Sequence, residues 1–413
     1  MATAFGDEPR TYERTHPWLT FSANLNALGP TAGLLLGEAH SKLQHISGVP
    51  LRPDISMRLN QIYLAKGVHA TTAIEGNTLT EEQVDRIIAE DLKLPPSKDY
   101  LEREVRNVVD ACNRIVSEVA SGNPVPVTVE RIAAFNLVLL RDLEVDAGVV
   151  PGVIRTGSVV VVNAYRGAPA EDCELLLRRL CDWLNGSEFI AGENDPYAFT
   201  KVLMKAVLAH LYVAWIHAFG DGNGRTARLI EFQVLVESGV PLPAAHLLSD
   251  HYNLTREWHY RVLARSSRPP YPVTDFVEYA LTGLVDELRS QLDLIRTSQL
   301  DVTWENYIHD RFRYQETPAR RRQKHLALDL PPSDWTPRSE IRRVSGRISE
   351  EYAGKGSKTI TRDINALRAM GLIRESRDGI KPNRGLVVAF LPVRADGPVA
   401  AVDVALPDGT TVS

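Results

Sequence analysis

Cysteine is scarce in this chain of 413 residues, which contains only Cys112, Cys173 and Cys181. An odd number of cysteines with no CxxC pair argues against a disulfide framework and against a cysteine zinc site. Three isolated cysteines are typical of buried, reduced thiols in a cytoplasmic protein. We therefore expect a cytoplasmic location, with no disulfide framework and no cysteine zinc site.

Long hydrophobic runs are also missing. The most apolar stretch, residues 202–216, is interrupted by Lys205 and His210 and is too short to span a bilayer. It predicts a buried core helix and no membrane partner. The first 18 residues contain acidic side chains and no apolar core, so we expect no secretory signal peptide.

Charge is distributed unevenly along the chain. Residues 301–400 contain 19 Lys and Arg against 13 Asp and Glu, a net charge of +6. Residues 1–300 contain 28 against 37, a net charge of −9. An acidic body with a basic C-terminal module indicates a polyanionic partner for that module alone.

Helical periodicity dominates the first 300 residues, so the predicted fold class is mainly α. Residues 1–30 read as irregular because they contain three prolines. The stretch that follows residue 54 predicts a helix ending near Gly76. Thr80 is a candidate N-cap for the next helix, in which Val84, Ile87 and Ile88 fall on one face. Further helices are expected up to about residue 298.

Between residues 148 and 169 the pattern changes to GVVPGVIRTGSVVVVNAYRGAP. Four consecutive valines bounded by glycine and proline predict a short strand or hairpin among the helices.

The C-terminal module, residues 336–392, begins after a proline-rich boundary between residues 300 and 335. Its pattern predicts a helix, a loop and a second helix with an apolar stripe. LIRES, a turn at RDG, and RGLVVAFLP then predict a β-hairpin. This order is the plan of a winged helix, and a small helical domain for protein contacts is the alternative. If the module binds DNA, the candidate contacts are Lys358, Arg362 and Arg368.

The stretch HAFGDGNGRTAR, residues 217–228, combines several groups that suit a triphosphate. Its glycines allow close backbone approach, and the N–H groups that begin the next helix can bind a phosphate. Arg225 and Arg228 lie on neighbouring positions of that helix and can grip terminal phosphates. Asp221 is a hard oxygen ligand for Mg²⁺, and His217 can accept a hydroxyl proton.

Taken singly, each of these signals is weak. A lone histidine at a helix end is more often structural than catalytic, and a glycine run without a preceding strand excludes a dinucleotide-binding fingerprint. The conjunction of histidine, acid, asparagine, glycines and two arginines within 12 residues is the strong signal.

This stretch resembles the signature of the Fic family, HPFxx[GN]NGRxxR, with Ala218 in place of the usual proline. PGVIRTG at residues 151–157 resembles the family's entry to a β-hairpin flap that docks the target. LSDHYNLTREWHY at residues 248–260 resembles the later helix ending NRxxYY, with Thr255 and His259 as departures. The resemblance covers roughly residues 45–265.

The resemblance implies a Fic helical core with a short β-hairpin flap, and a transfer of AMP from ATP to a Ser, Thr or Tyr hydroxyl of a protein. The implied general base is His217 and the implied Mg²⁺ ligand is Asp221. The residues it assigns to ATP are Phe219, Gly220, Asp221, Gly222, Asn223, Gly224, Arg225, Arg228 and Tyr260. The candidate residues of the target flap are Arg155, Thr156, Gly157, Val161 and Val162.

TTAIEG at residues 71–76 resembles the family's inhibitory motif [ST]xxxE[GN]. In members that carry it, the glutamate pairs with the second arginine of the signature and occupies the place of the γ-phosphate. The resemblance therefore implies that Glu75 pairs with Arg228 and inhibits the enzyme.

These interpretations divide the chain into five predicted parts. They are an irregular segment (1–45), a helical region with the inhibitory helix (46–120), the catalytic core (121–300), a winged-helix-like module (301–395) and a tail (396–413). The expected partners are ATP and a target protein, for which the chain itself is one candidate. DNA is a further expected partner, for residues 336–392.

Three other functions stay open from the sequence. The chain can remove AMP from a modified target, or transfer another nucleotide moiety. It can also be a DNA-binding regulator whose Fic body only senses a nucleotide. The intact His217 and Asp221 argue against the last, since a sensor needs no base.

Overall fold

A computed structural model describes residues 10–23, 27–123, 125–157, 160–161, 165–192, 194–270, 273–314, 317–388, 393–394 and 397–398. The fold is mainly helical, as the sequence predicts, and the chain divides into two compact units, residues 1–292 and residues 293–413. The predicted tail, 396–413, lies outside the described residues except for Gly397 and Pro398.

The first unit contains twelve helices within the described residues and the start of a thirteenth. Their bounds are α1 Thr11–Thr15, α2 Pro30–Gly48, α3 Pro53–Ile74, α4 Glu81–Ile88, α5 Asp99–Ala120, α6 Val129–Leu139, α7 Cys173–Leu184, α8 Ala198–Ile216, α9 Asn223–Glu237, α10 Leu242–Ala245, α11 Leu247–Leu254, α12 Arg256–Ser266 and α13 Val273–Arg311. The predicted division at residue 300 falls inside α13.

Helix α2 corrects the expectation of irregular structure up to residue 45. Pro30 is the first residue of this 19-residue helix. A proline at the first helical position lacks an N–H that would be unpaired there in any case, so it begins a helix rather than breaking one. Pro30 was therefore a poor sign of irregular structure.

Helix α3 carries the segment that resembles an inhibitory motif. Proline again stands at its start, and it packs against α4, α5, α10 and α11. It ends at Ile74, so that Glu75 is its C-cap residue. The following helix begins where the sequence predicts, because the Thr80 side chain accepts from the Gln83 backbone and Gln83 reaches back to Thr80 in a capping box.

Helix α8 forms the centre of the first unit. By length and composition alone it could cross a membrane, but 72% of its most apolar window is buried inside the protein. It packs most extensively against α9 and also against α7. The prediction of a buried core helix is confirmed, and the three cysteines are free and buried as expected.

A short antiparallel hairpin interrupts the helices where the sequence predicts one. Strand β1, Val160–Val161, pairs with β2, Tyr165–Arg166, with Val161 opposite Tyr165. Just before it, Ile154 forms an isolated bridge with Phe219 in the loop between α8 and α9. The hairpin therefore begins from a point that is attached to that loop.

The second unit has its own hydrophobic core. It contains the end of α13, then α14 Pro318–Asp329, α15 Gly346–Glu351, α16 Ser357–Ala369, β3 Ile373–Ser376, β4 Gly379–Pro382, β5 Val393–Arg394 and β6 Gly397–Pro398. Trp304 and Ile308 of α13 pack with Ile364 and Leu367 of α16, and all four are buried. The predicted helix, loop, helix and hairpin are present in that order, and the winged-helix interpretation stays a prediction.

The second strand of this hairpin lies earlier than the sequence suggested. Ser376 pairs with Gly379 across a two-residue turn, so the strand is Gly379–Pro382, and Arg384–Val387 is a short 3-10 turn. Gly379 has a φ of 139°, which favours glycine, and it sits against the backbone of Thr336. The tight turn and this close approach fixed the register, whereas the apolar run LVVAFL misled the prediction.

Candidate active site

His217 occupies an unusual backbone position at the end of α8. It is the C-cap residue and has left-handed angles, φ 50° and ψ 53°. Few residues other than glycine adopt this conformation, and such strain is concentrated at functional sites. The surrounding contacts hold it there, because Arg155 Nε donates to the His217 carbonyl at 2.7 Å and Arg155 N donates to the Ala218 carbonyl at 2.9 Å.

The imidazole of His217 is arranged to accept a proton. Its Nδ1 lies 3.3 Å from the Ala214 carbonyl, which can only accept, so Nδ1 carries the hydrogen and Nε2 has a free lone pair. Burial lowers the pKa of His217 to about 4, against a smaller opposing effect of that hydrogen bond. The ring is therefore neutral at pH 7.

The loop from Phe219 to Asn223 is held in shape by the Asn223 side chain. Asn223 Oδ1 accepts from Phe219 N at 2.9 Å, and Nδ2 donates to Phe219 O at 2.8 Å. Gly222 has a φ of 74°, which suits glycine as the residue before α9. The side-chain amide of Asn223 is already hydrogen-bonded within the loop. This segment can therefore bind an anion through the backbone N–H groups at the start of α9.

Arg225 is turned away from the cavity in this structure. Its Nη1 lies 2.6 Å from Glu104 Oε1 on α5, in a buried ion pair, and its Nη2 lies 3.4 Å from both oxygens of Asp221. Glu104 is in turn held by Asn77 Nδ2 at 2.8 Å. Burial raises the pKa of Glu104, an effect that Arg225 partly offsets. Arg225 thus links the acid at the cavity to the N-terminal helices.

Glu75 and Arg228 form the ion pair that the sequence predicts. Arg228 Nη2 lies 2.6 Å from Glu75 Oε1 and 3.0 Å from the Thr71 carbonyl. The side chain of Arg228 is 2% exposed and that of Glu75 is 24% exposed, so the pair is partly buried. Burial raises the pKa of the Glu75 carboxyl, but Arg228 and then Arg225 outweigh it, and the net pKa is lowered. Glu75 is therefore an anion at pH 7.

The Glu75 carboxylate lies directly over the first turn of α9. A Cβ atom added to Gly224 would stand 2.2 Å from Glu75 Oε1 and 3.2 Å from Arg228 Nη1. The glycine therefore admits an anion against the helix N-terminus, where free N–H groups and the helix dipole favour negative charge. In this structure the anion is the side chain of Glu75.

Most of the residues predicted for the nucleotide site, together with Glu75, meet at one cavity of about 170 Å³. Those that line it are Glu75, His217, Gly220, Asp221, Gly222, Asn223, Gly224, Arg228 and Tyr260. Phe219 and Arg225 do not line it. Phe219 is 1% exposed and its backbone forms the bridge to Ile154, so it supports the loop.

Asp221 fits a Mg²⁺ site of the kind that a nucleotide completes. Its side chain is 45% exposed and lines the cavity, while one oxygen accepts from Gly222 N. The described residues contain no group of three or more His, Cys, Asp and Glu that could hold a metal ion. Magnesium is usually held by one or two carboxylates together with phosphates and waters, so one aspartate suffices.

The candidate flap residues fall into two groups. Arg155 is buried, and its guanidinium donates to the carbonyls of His217, Gly157 and Ala168. It therefore ties the base of the hairpin to the loop between α8 and α9 instead of presenting a charge to a target. Thr156 and Gly157 are exposed. Only the backbone of Val161 is described, and Val162 lies outside the described residues.

Sequence reasoning missed two buried polar residues that assemble the site. Asn136, 0% exposed on α6, donates to the Asp221 carbonyl at 2.9 Å and accepts from Gly152 N at 2.9 Å, so it joins the flap entry to the loop. Glu104 is the partner of Arg225. Both lie within ordinary amphipathic helices, and no local motif marks them.

The candidate DNA contacts lie on one helix of the second unit. Lys358 and Arg362 are exposed on α16 and have no ion pair with any described residue. Arg368 is exposed too, but its Nη1 lies 2.8 Å from Glu375 on β3. The first two are thus free to meet an external anion, and the third already has a partner.

Comparison with known proteins finds a match to the central part of the first unit. The profile of the Fic/DOC family matches residues 126–235, which include α6, the hairpin, α8 and the loop that begins α9. Protein adenylyltransferase fic-1 of Caenorhabditis briggsae is 31% identical over 175 residues, which is 42% of this chain and 32% of that protein. Protein adenylyltransferase Fic of Nematostella vectensis is 30% identical over 175 residues, which is 42% of this chain and 38% of that protein. The chain spans about a third of the length of the curated relatives it matches.

Solved structures show a similar fold. A Fic family protein from Desulfovibrio desulfuricans superposes with a TM-score of 0.52 at 22% identity, covering 85% of this chain and 93% of that chain. Residues 134–508 of Fic-1 from Caenorhabditis elegans superpose with a TM-score of 0.50 at 22% identity, covering 65% and 73%. These likenesses concern the fold alone.

Proposed function

We propose that this chain, whose residues 126–235 match the profile of the Fic/DOC family, is a nucleotidyltransferase that moves AMP from ATP to a Ser, Thr or Tyr hydroxyl of a protein. The observation that carries the proposal is the single cavity that brings together His217, Asp221, the N-terminus of α9 and Arg228. These supply a base, a metal ligand, an anion site and a fixed positive charge.

The proposed reaction follows from these groups. Nε2 of His217 removes the hydroxyl proton as the hydroxyl oxygen attacks the α-phosphorus of ATP. The bond between the α-phosphorus and the bridging oxygen breaks, and pyrophosphate leaves. The N–H groups at the start of α9 hold a phosphate, and Arg228 holds the terminal phosphates. Asp221 would hold Mg²⁺, which when bound would neutralise charge that develops as pyrophosphate leaves.

Glu75 inhibits this reaction by taking the place of the terminal phosphate. Its ion pair of 2.6 Å with Arg228, and its position over Gly224, support this role. Two like-charged groups cannot share one guanidinium and one helix N-terminus without a large repulsion. ATP therefore binds productively only when Glu75 leaves, and Arg228 is then free for the γ-phosphate.

Arg225 acts through Asp221 rather than by direct contact with phosphate. Its guanidinium lies 3.4 Å from both Asp221 oxygens and is fixed by Glu104 on its other side. A buried guanidinium with two carboxylate partners has little freedom to move. Arg225 therefore holds the Asp221 carboxylate toward the cavity, which is the position that a metal ligand needs.

A second candidate function concerns the other unit. We propose that residues 336–392 bind DNA, with the enzyme in the first unit. The exposed Lys358 and Arg362 on α16 favour this role, because cations without intramolecular partners among the described residues are available to phosphates. The three free cysteines support a cytoplasmic location, where DNA and ATP are both accessible.

Transfer of label from ATP tests the proposed reaction. The Glu75→Gly variant is incubated with lysate proteins and Mg²⁺, once with ATP labelled in the α-phosphate and once with ATP labelled in the γ-phosphate. With the first ATP only, we expect the Glu75→Gly variant to produce more protein-bound label than the matched His217→Ala/Glu75→Gly variant does in the same lysate. A gain over that control with ATP labelled in the γ-phosphate would mean phosphoryl transfer instead.

The same assay separates the related alternatives. Competition by unlabelled nucleotides tests whether another moiety is transferred. Loss of label from pre-modified proteins on addition of wild-type chain would favour AMP removal. A chain that binds ATP but labels nothing in lysate, and that does not label itself, would support a nucleotide-sensing regulator.

A further inference from the structure

Four polar side chains are buried behind Arg228, on four different helices. They are His210 on α8, Glu231 on α9, Tyr252 on α11 and His259 on α12, and none is more than 2% exposed. His210 and His259 line the same cavity as Glu75 and Arg228. The proposed reaction as described uses neither imidazole.

Hydrogen bonds and burial together indicate where the protons of this cluster lie. The Tyr252 hydroxyl donates to Glu231 Oε1 at 2.9 Å, and Glu231 Oε2 lies 3.2 Å from His210 Nδ1. Burial raises the pKa of Glu231 to about 8 and holds the pKa of His210 well below its ordinary value. Burial therefore favours the neutral acid and the neutral imidazole. With Oε1 accepting from Tyr252, the acid proton lies on Oε2 and is donated to Nδ1, so the N–H of His210 is at Nε2.

Two polar atoms near this end of the cavity are buried without a partner among the described residues. They are Nδ1 of His259 and Nε of Arg228. Buried polar atoms nearly always have a hydrogen-bond partner, so unsatisfied ones at a cavity point to a ligand. The ring of His259 is held flat against Tyr252, with centroids 4.6 Å apart, and 5.4 Å from the ring of His210.

The cluster lies at the end of the cavity where Glu75 meets Arg228. The positive charge of Arg228 lowers the pKa of both imidazoles, and the negative charge of Glu75 raises the pKa of His210. An anion that replaces Glu75 on Arg228 therefore arrives beside both rings. Neutral imidazole N–H groups can donate to phosphate oxygens without placing further cations beside the buried guanidinium.

We propose that His210 and His259 complete the binding site for the terminal phosphates of ATP, and that Glu231 is a positioning residue that fixes the Nε2–H tautomer of His210. This inference rests on the proposed function, because it assumes that a triphosphate occupies the cavity once Glu75 is removed. It adds two phosphate-binding residues and one residue that acts through another.

Calorimetric titration with ATP and with AMP tests the assignment in the Glu75→Gly background. His259→Phe keeps the stacked ring and removes both nitrogens. Glu231→Met removes the donor to His210. Glu231→Gln is the matched control, because its amide can still accept from Tyr252 and donate to His210 Nδ1. The thermal midpoint of each variant reports folding.

We expect His259→Phe and Glu231→Met each to raise the Kd for ATP tenfold or more and to leave the Kd for AMP within twofold. We expect both Kd values of Glu231→Gln to stay close to those of the parent. It is overturned if both variants weaken ATP and AMP equally or weaken neither, or if Glu231→Gln is as harmful as Glu231→Met. Should His259→Phe fail to fold, the contrast between the two Glu231 variants decides alone. A Glu75→Gly parent that binds ATP no more tightly than AMP would contradict the proposed function itself.

Discussion

At the scale of single residues, the chemistry depends on how burial sets protonation. His217 sits in a left-handed backbone position, donates through Nδ1 to a carbonyl, and is neutral because burial lowers its pKa to about 4. A base must be unprotonated to act, and this ring meets that condition over the whole physiological pH range.

The pH dependence of AMP transfer follows from this shift. His217 is protonated, and so inactive, only below its lowered pKa, and its neutral form dominates above it. We expect the maximal rate of the Glu75→Gly variant at saturating ATP to stay constant between about pH 8 and about pH 6, where an unshifted histidine of pKa ~6.5 would lose most of its base form. A half-maximal rate near pH 6.5 would contradict the assignment. Circular dichroism at each pH verifies that the protein stays folded.

Removal of the Asp221 carboxylate should separate metal dependence from nucleotide binding. In the Glu75→Gly background, Asp221→Ala is expected to lower transfer by roughly 10²-fold and to abolish its response to Mg²⁺, because metal ligation contributes several kcal/mol of charge stabilisation. Binding of ATP without Mg²⁺ should change little. Transfer that still rises with Mg²⁺ in this variant would place the metal ligand elsewhere.

At the scale of elements, side chains and an isolated backbone bridge, rather than a continuous sheet, join the base of the hairpin to the loop between α8 and α9. Arg155 donates to three carbonyls across the two segments, and Asn136 bridges Gly152 and Asp221. These contacts from the base of the hairpin therefore add to the Asn223 hydrogen bonds that hold the loop in shape from within.

Replacing Arg155 tests this attachment. Arg155→Met leaves the carbonyls of His217, Gly157 and Ala168 without their donor, and we expect a loss of about 1.5–3 kcal/mol in the free energy of unfolding. Urea denaturation measures it, with Arg178→Met on the exposed face of α7 as the control. An unchanged midpoint would mean that the carbonyls find other partners.

The sequence predicted the elements better than their long-range partners. The start of α4 at Thr80 and the buried α8 followed from local capping and composition. The ion pair of Glu75 with Arg228 was predictable only because a family motif connects residues 153 positions apart. Glu104 was not found, since an acid within a charged amphipathic helix reads as solvated until Arg225 is placed against it.

The same limit explains the error in the second unit. The apolar run after Arg384 has a composition more typical of a strand than GIKP, residues 379–382. The two-residue turn and the contact of Gly379 with Thr336 nevertheless fix the pairing. Local propensity could not reveal a backbone 43 residues away in the chain. Burial and long-range contact, not composition, decided which segment became β4.

At the scale of the whole molecule, the basic module makes its own prediction. If residues 336–392 bind DNA, affinity should fall steeply with salt, because each neutralised phosphate releases counterions. Lys358→Ala and Arg362→Ala should each reduce the slope of log affinity against log salt by about 0.9. Arg178→Ala in the first unit is the control and should change nothing. No salt-sensitive binding of the full chain to DNA at low salt would favour a protein-docking module.

Inhibition by Glu75 is central to the proposed function, and the initial rate of AMP incorporation measures it. Wild type, Glu75→Gly, Arg228→Ala and the double variant are compared at saturating ATP and Mg²⁺. We predict that Glu75→Gly is at least tenfold faster than wild type, a difference of ~1.4 kcal/mol, which one charge-assisted, partly desolvated bond can supply. The double variant should lose the gain, because the released Arg228 is absent. A Glu75→Gly variant no faster than wild type, or a double variant equally fast, would contradict the account.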